Sequence, residues 1–161
     1  MTVSDYNQCV DQYADAVFRF ILKNIKNEDA ARDVVQDAFT KMWEKHEGVD
    51  GKKAKSYLFT AAYHTMIDFI RRDKKFHGSE LELERQHSYE VGYSDLQEVL
   101  HEALDTLPEK QKAVLLLRDY EGYSYKEIGE IVTLNESQVK VYIYRARVAM
   151  KKYIGSMEMV V

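Results

Sequence analysis

Along the stretch 138–151, Lys140, Tyr144, Arg147 and Lys151 recur at i, i+4, i+7 and i+11, with Gln138, Val141 and Arg145 beside them. Residues at this spacing share one side of a helix, which here offers cations, an amide and a phenol. Gln can bond adenine in a bidentate way and Lys or Arg guanine, while further cations hold phosphates. This is chemistry for gripping a nucleic acid, not for breaking a bond. A basic helical face is most often only a solvated surface, so the elements that carry it have to decide the matter.

Those elements are marked clearly. Val139, Ile143, Ala146 and Met150 repeat at the same spacing on another side of the segment and form an apolar stripe for burial. Just ahead, Asn135 is followed three residues later by Gln138, and eleven residues earlier Ser124 is followed by Glu127. Each pair has the capping-box form, in which two orphan N–H groups at a helix start are satisfied reciprocally. Between the two starts lie the short segment YKEIGEIV and the connection Thr133-Leu134-Asn135, about the length of a helix-turn-helix turn. The second helix of such a unit lies in the major groove with its N-terminal residues at base edges.

The remaining chain reads as helices over 5–25, from Asn27 to about Glu47, and over 56–74, with a basic loop GVDGKKAK before the third. Their apolar sides are Cys9, Tyr13, Ala16 and Phe20, then Val34, Val35, Ala38, Phe39 and Met42, then Leu58, Ala62, Met66, Phe69 and Ile70. From Phe76 to about Tyr93 the periodicity dissolves into FHGSELELERQHSYEVGY, which reads as a linker. A helix over 95–106 follows, and Pro108 suits the first turn of the next, which stops at Gly122. The expected fold class is all-α: a domain at 1–75, a flexible acidic linker at 76–94, and a four-helix unit with the helix-turn-helix at 95–161.

Composition bounds what this chain can be. Hydrophobic residues make up 45% and charged residues 31% of 161, enough for a core, while a single proline and seven glycines do not suggest a sheet protein. Cys9 stands alone, so no internal disulfide is available. No run approaches the roughly 18 apolar residues of a membrane span, and the first residues lack the pattern of a secretory signal. A cytoplasmic protein without membrane insertion is expected. The formal net charge of −4 conceals a segregation: 51–75 sum to +5 and 76–103 to −6, while 136–154 hold five basic residues against one acidic. Local field, not net charge, decides where a polyanion docks.

Enzyme chemistry is not legible. His46, His64, His77, His87 and His101 are scattered, GVDGKK lacks the Walker spacing, and there is no nucleophile elbow. No catalytic residue, metal site, cofactor or small-molecule substrate is expected.

Three stretches, in this order, carry a resemblance: AARDVVQDAFTKMWEK, KSYLFTAAYHTMIDFIRR and LDTLPEKQKAVLLLRDYEGYSYKEIGEIVTLNESQVKVYIYRAR. Together they resemble the extracytoplasmic-function (ECF) sigma factors, minimal members of the bacterial sigma-70 family. The third is the most specific, with its LP-x-x-Q-x-x-V-x-x-L-R core followed by V-K-x-x-x-x-R-A-R. The resemblance implies a factor that binds core RNA polymerase, recognises −35 and −10 promoter elements, and helps open the −10 strands. It implies a dock for the coiled coil of the polymerase β′ subunit at Asp33, Gln36 and Asp37. It implies capture of the opened −10 element around Lys52, Lys53, Lys55, Tyr63, His64, Arg71 and Arg72, where cations suit the backbone and rings suit unpaired bases. His64 replaces an asparagine common in the family, and Tyr57 stands where a tryptophan is frequent. For the −35 duplex it implies Glu136, Ser137, Gln138, Lys140, Val141, Tyr144, Arg145 and Arg147; Tyr142 and Tyr144 are bulkier than usual there.

The resemblance also implies partners: core polymerase, promoter DNA and an anti-sigma factor. Two other readings remain open on the residues alone, a one-component regulator with a C-terminal helix-turn-helix and a helical interaction protein. The basic segment 51–75 weighs against both, since neither needs a polyanion site there.

Overall fold

A computed structural model describes residues 1–77 and 95–158. The described residues are helical apart from short turns, and they fall into two compact units, one within Met1–Tyr89 and the other within Glu90–Val161.

The first unit is three helices, α1 (Val3–Ile25), α2 (Glu28–Glu44) and α3 (Ala54–His77), each packed against the other two. Thr2 opens α1 with a capping box: its hydroxyl accepts from the Asp5 N–H, and the Asp5 carboxylate accepts from the Thr2 N–H. Hydrogen bonding to the carboxylate from the Thr2 backbone first, and from the Thr2 side chain second, holds the Asp5 carboxyl below its ordinary value. The helix ends where Lys26 turns left-handed (φ 55°), and Asn27 at once caps α2 by accepting from the Ala30 N–H. The apolar periods expected from sequence converge in the core, where Phe20, Ile21, Ile25, Met42, Leu58, Phe59 and Met66 are fully buried. Burying each such side chain contributes about 1.5–3 kcal/mol relative to leaving it exposed. Tyr13, Val35 and Phe69 lie only half inside. Two polar ties brace α2: Tyr6 Oη donates to the Phe39 carbonyl at 3.0 Å, and Lys41 Nζ donates to Thr65 Oγ1 at 2.9 Å.

α3 is longer than the sequence pattern suggests, by two residues at its start and three at its end. The loop ahead of it is ordered by short turns at His46–Gly48 and Gly51–Lys53. Asp50 caps the second by accepting from the Lys52 N–H, and that turn runs straight into Ala54. The far end of α3 passes the expected 75/76 boundary. Residues 78–94, which hold most of the expected linker, lie outside the described residues.

The second unit is α4 (Asp95–Asp105), α5 (Glu109–Asp119), α6 (Tyr125–Val132) and α7 (Glu136–Glu158). Pro108 takes the N-cap position of α5, one residue earlier than expected. Gly122 adopts φ 75°, the left-handed region open to glycine, which lets the chain turn sharply from α5 into α6. Leu104, Leu116, Leu117, Ile128, Ile131 and Val139 fill the core around α7, which packs on all three other helices.

Candidate nucleic-acid interface

The turn between α6 and α7 is set by four local devices. Ser124 and Glu127 form the first capping box, with both bonds at 3.1 Å. Asn135 and Gln138 form the second: Gln138 N–H donates to Asn135 Oδ1 at 2.8 Å, and Asn135 N–H to Gln138 Oε1 at 3.0 Å. Thr133 closes α6 in the left-handed region (φ 60°), and the Leu134 N–H returns to the Gly129 carbonyl at 2.9 Å. Finally, a Cβ on Gly129 would sit 2.5 Å from the Leu134 carbonyl oxygen, so the turn folds this closely because position 129 has no side chain.

On α7, Val139, Ile143 and Ala146 are buried as expected, and Met150 is half-buried. Glu136, Ser137, Gln138, Lys140, Val141, Tyr144, Arg145 and Arg147 are all exposed, so every residue expected at the duplex is on the surface. They are not equally free. Lys140 Nζ lies over the Tyr125 ring at 5.6 Å, and Arg118 lies against the same ring at 4.4 Å. Arg147 closes a two-pronged ion pair with Asp119 at the end of α5, through Nη2–Oδ1 at 2.6 Å and Nε–Oδ2 at 3.4 Å. That hydrogen bond holds the guanidinium above its ordinary value.

In the first unit, Lys52, Lys53, His64, Arg71 and Arg72 are exposed, and Lys55 is half-buried with its Nζ over the Tyr13 ring at 6.0 Å. Tyr63 does not join them. It is 4% exposed, a core residue whose ring meets that of His64 edge-on at 5.5 Å. The side-chain period explains the placement: Tyr63 adjoins Ala62 and lies one turn before Met66, both fully buried. Arg72 Nε donates to the backbone carbonyl of Asp68 at 3.4 Å.

Asp33, Gln36 and Asp37 are exposed on α2, and they line a cavity of about 420 Å³ together with Thr40 and with Thr65, Phe69 and Arg72 of α3. The structure thus brings Arg72 into the groove of the acidic residues, a proximity that their sequence separation conceals. Asp37 also pairs with Lys41 at 3.5 Å.

Three groups went unnoticed in sequence. Trp43 is 41% exposed, stacked flat on His46 (4.3 Å, 10° between planes) and met edge-on by Tyr6 at 5.0 Å. Asp119 and Tyr125 each engage a cation of the α7 face or its border. Trp43 is signalled in sequence only as the sole tryptophan, near the end of α2. Nothing in the sequence points to the other two. Among the described residues no group of His, Cys, Asp and Glu is arranged to hold a metal ion, and no helix is long and apolar enough to cross a membrane.

Comparison with known proteins gives consistent matches. The family model "Sigma-70 region 2" matches residues 9–76, and "Sigma-70, region 4" matches 97–150. The RNA polymerase sigma factor SigV of Bacillus subtilis (strain 168) is 33% identical over 141 residues, covering 86% of this chain and 84% of that protein. The ECF RNA polymerase sigma factor SigM of the same organism is 28% identical over 159 residues, 94% of each chain. Among solved structures, the sigma factor RpoE in complex with the anti-sigma factor NepR from Bartonella quintana superposes with a TM-score of 0.77 at 24% identity. That match covers 95% of this chain and 98% of RpoE. CnrH, in complex with the cytosolic domain of CnrY, gives a TM-score of 0.70 at 21% identity, over 94% and 88% of the two chains. At these identities the structural matches speak for the fold.

Proposed function

The chain belongs to the ECF branch of the sigma-70 family, and on that premise we propose that it brings core RNA polymerase to promoters with a −35 and a −10 element and helps part the −10 strands. The second unit reads the −35 duplex through α7. The first captures the opened −10 strand with Lys52, Lys53, Lys55, His64, Arg71 and Arg72, and docks on the β′ coiled coil through Asp33, Gln36 and Asp37. Tyr63, from the core, supports His64 instead of meeting DNA. The protein acts by binding, in the cytoplasm, and phosphoryl transfer belongs to the polymerase.

The observation that carries this reading is the geometry of α7: a doubly capped, glycine-tightened turn aims a helix whose one side is buried and whose other side is a row of exposed cations. That is the arrangement by which a helix-turn-helix seats its second helix in the major groove. An anti-sigma factor is the proposed inhibitor, by analogy with RpoE, whose structure was solved in complex with NepR.

Run-off transcription with purified core polymerase tests the proposal. The chain should confer initiation at discrete sites on promoter-bearing templates. A one-component regulator would not do so with core enzyme, and an interaction protein would leave it inert.

A further inference from the structure

Three large apolar side chains of α7 stand in solvent: Val141 is 43%, Tyr144 70% and Val148 48% exposed. At 3.6 residues per turn they fall along one line, within roughly 50° of the direction opposite the buried Val139, Ile143 and Ala146. Between Ser137 at its start and Lys152 at its end, the ridge opposite the core of this unit is therefore apolar. Exposed cations border it on both sides, Lys140 and Lys151 on one and Arg145 and Lys152 on the other.

An apolar strip between two rows of cations fits a groove walled by two polyanionic rails with methyl groups on its floor. The DNA major groove is such a place: phosphates run along both edges, and the thymine C5-methyl is the apolar group among its base-edge atoms. A helix lying there turns its outermost line to the bases and its flanks to the two backbones. Meanwhile several polar groups of the face are already occupied. Gln138 Oε1 accepts from the Asn135 N–H at 3.0 Å, Lys140 lies over Tyr125, and Arg147 is held by Asp119 at 2.6 Å.

Resting on the assignment of α7 to the −35 duplex, we infer that the ridge Val141–Tyr144–Val148 reads thymine methyl groups, so that part of the element is recognised by apolar contact in place of hydrogen bonds. The ligand class is an A·T pair with its thymine methyl turned toward the helix. Arg145 supplies charge beside the ridge.

Deoxyuridine differs from thymidine only by that methyl, which makes the test specific. Polymerase loaded with the full chain selects its sites from random duplexes, and the upstream block of the recovered sequences is then bound with each thymine replaced in turn by deoxyuridine. Binding should weaken about fourfold for each methyl that is lost from contact with the ridge. Val141→Ala and Tyr144→Ala, both at exposed positions that leave the core intact, should each erase the penalty at one position. Arg145→Ala should weaken thymidine and deoxyuridine duplexes equally and leave the penalty in place. If an upstream block is selected yet tolerates deoxyuridine throughout, the inference is wrong and the −35 assignment stands. If no upstream block is selected, both fall.

Discussion

Arg145 and Arg147 stand two positions apart on α7 and face different circumstances. Arg145 is exposed and has no partner among the described residues, whereas Arg147 is clamped by Asp119. We therefore expect Arg145→Ala to weaken −35 duplex binding and to flatten its salt dependence by about one unit of slope; identical affinity across a salt series would remove the residue from the interface. Asp119→Asn carries the opposite sign. The ion pair is about half exposed, so it stabilises the fold little, and its loss releases a guanidinium beside the face proposed to bind DNA. Duplex affinity should rise a few-fold and its salt dependence should steepen; a fall in affinity would mean that Asp119 orients the helix instead. Neither the clamp nor the burial of Tyr63 was legible in sequence. Asp119 lies 28 residues from Arg147, and Tyr63 is polar enough to read as surface although it is 4% exposed. The clamp depends on a tertiary neighbour, which residue type and spacing do not name, whereas for Tyr63 the helical period pointed inward and the polar phenol masked it.

Among the elements, the devices confined to four residues were the most legible. Both capping boxes of the helix-turn-helix form as their spacing suggests, because donor and acceptor are neighbours on one turn. The start of α3 was less legible, because a turn capped by Asp50 leads directly into it and makes part of a glycine-containing loop helical. The need for Gly129 is not legible in its own segment, since the carbonyl that excludes its side chain belongs to the next connection. Gly129→Val should force that carbonyl aside and destabilise the second unit by roughly 1–3 kcal/mol, in the range of overpacked cores. Urea unfolding of the full chain measures this directly, and an unchanged midpoint would show that the turn yields without strain.

For the whole molecule, charge is segregated along the chain. The −4 total gives no hint of a nucleic-acid partner, yet cations gather on 51–75 and 136–154 while acids gather on α2 and in 76–103. The proposed division is that cationic surfaces hold DNA and the acidic side of α2 holds a basic partner surface on polymerase. Asp37→Lys reverses one charge of that side, at an exposed site where the fold has little at stake beyond its pair with Lys41. Affinity for core polymerase should fall at least several-fold while thermal unfolding stays within a few degrees of wild type; equal affinity would move the dock elsewhere. The fold class and the helix-turn-helix were readable because helical periods and caps are local. The groove that joins Arg72 to Asp33 and Asp37 was not, because only the packing of α2 on α3 creates it.

The central claim, that this one chain positions core polymerase by gripping a promoter at two places, is tested most directly by abortive and run-off transcription from a template library. Core enzyme with the chain should start at sites sharing two spaced blocks, and core enzyme alone should not. Transcripts that begin at the same scattered positions with and without the chain would contradict it.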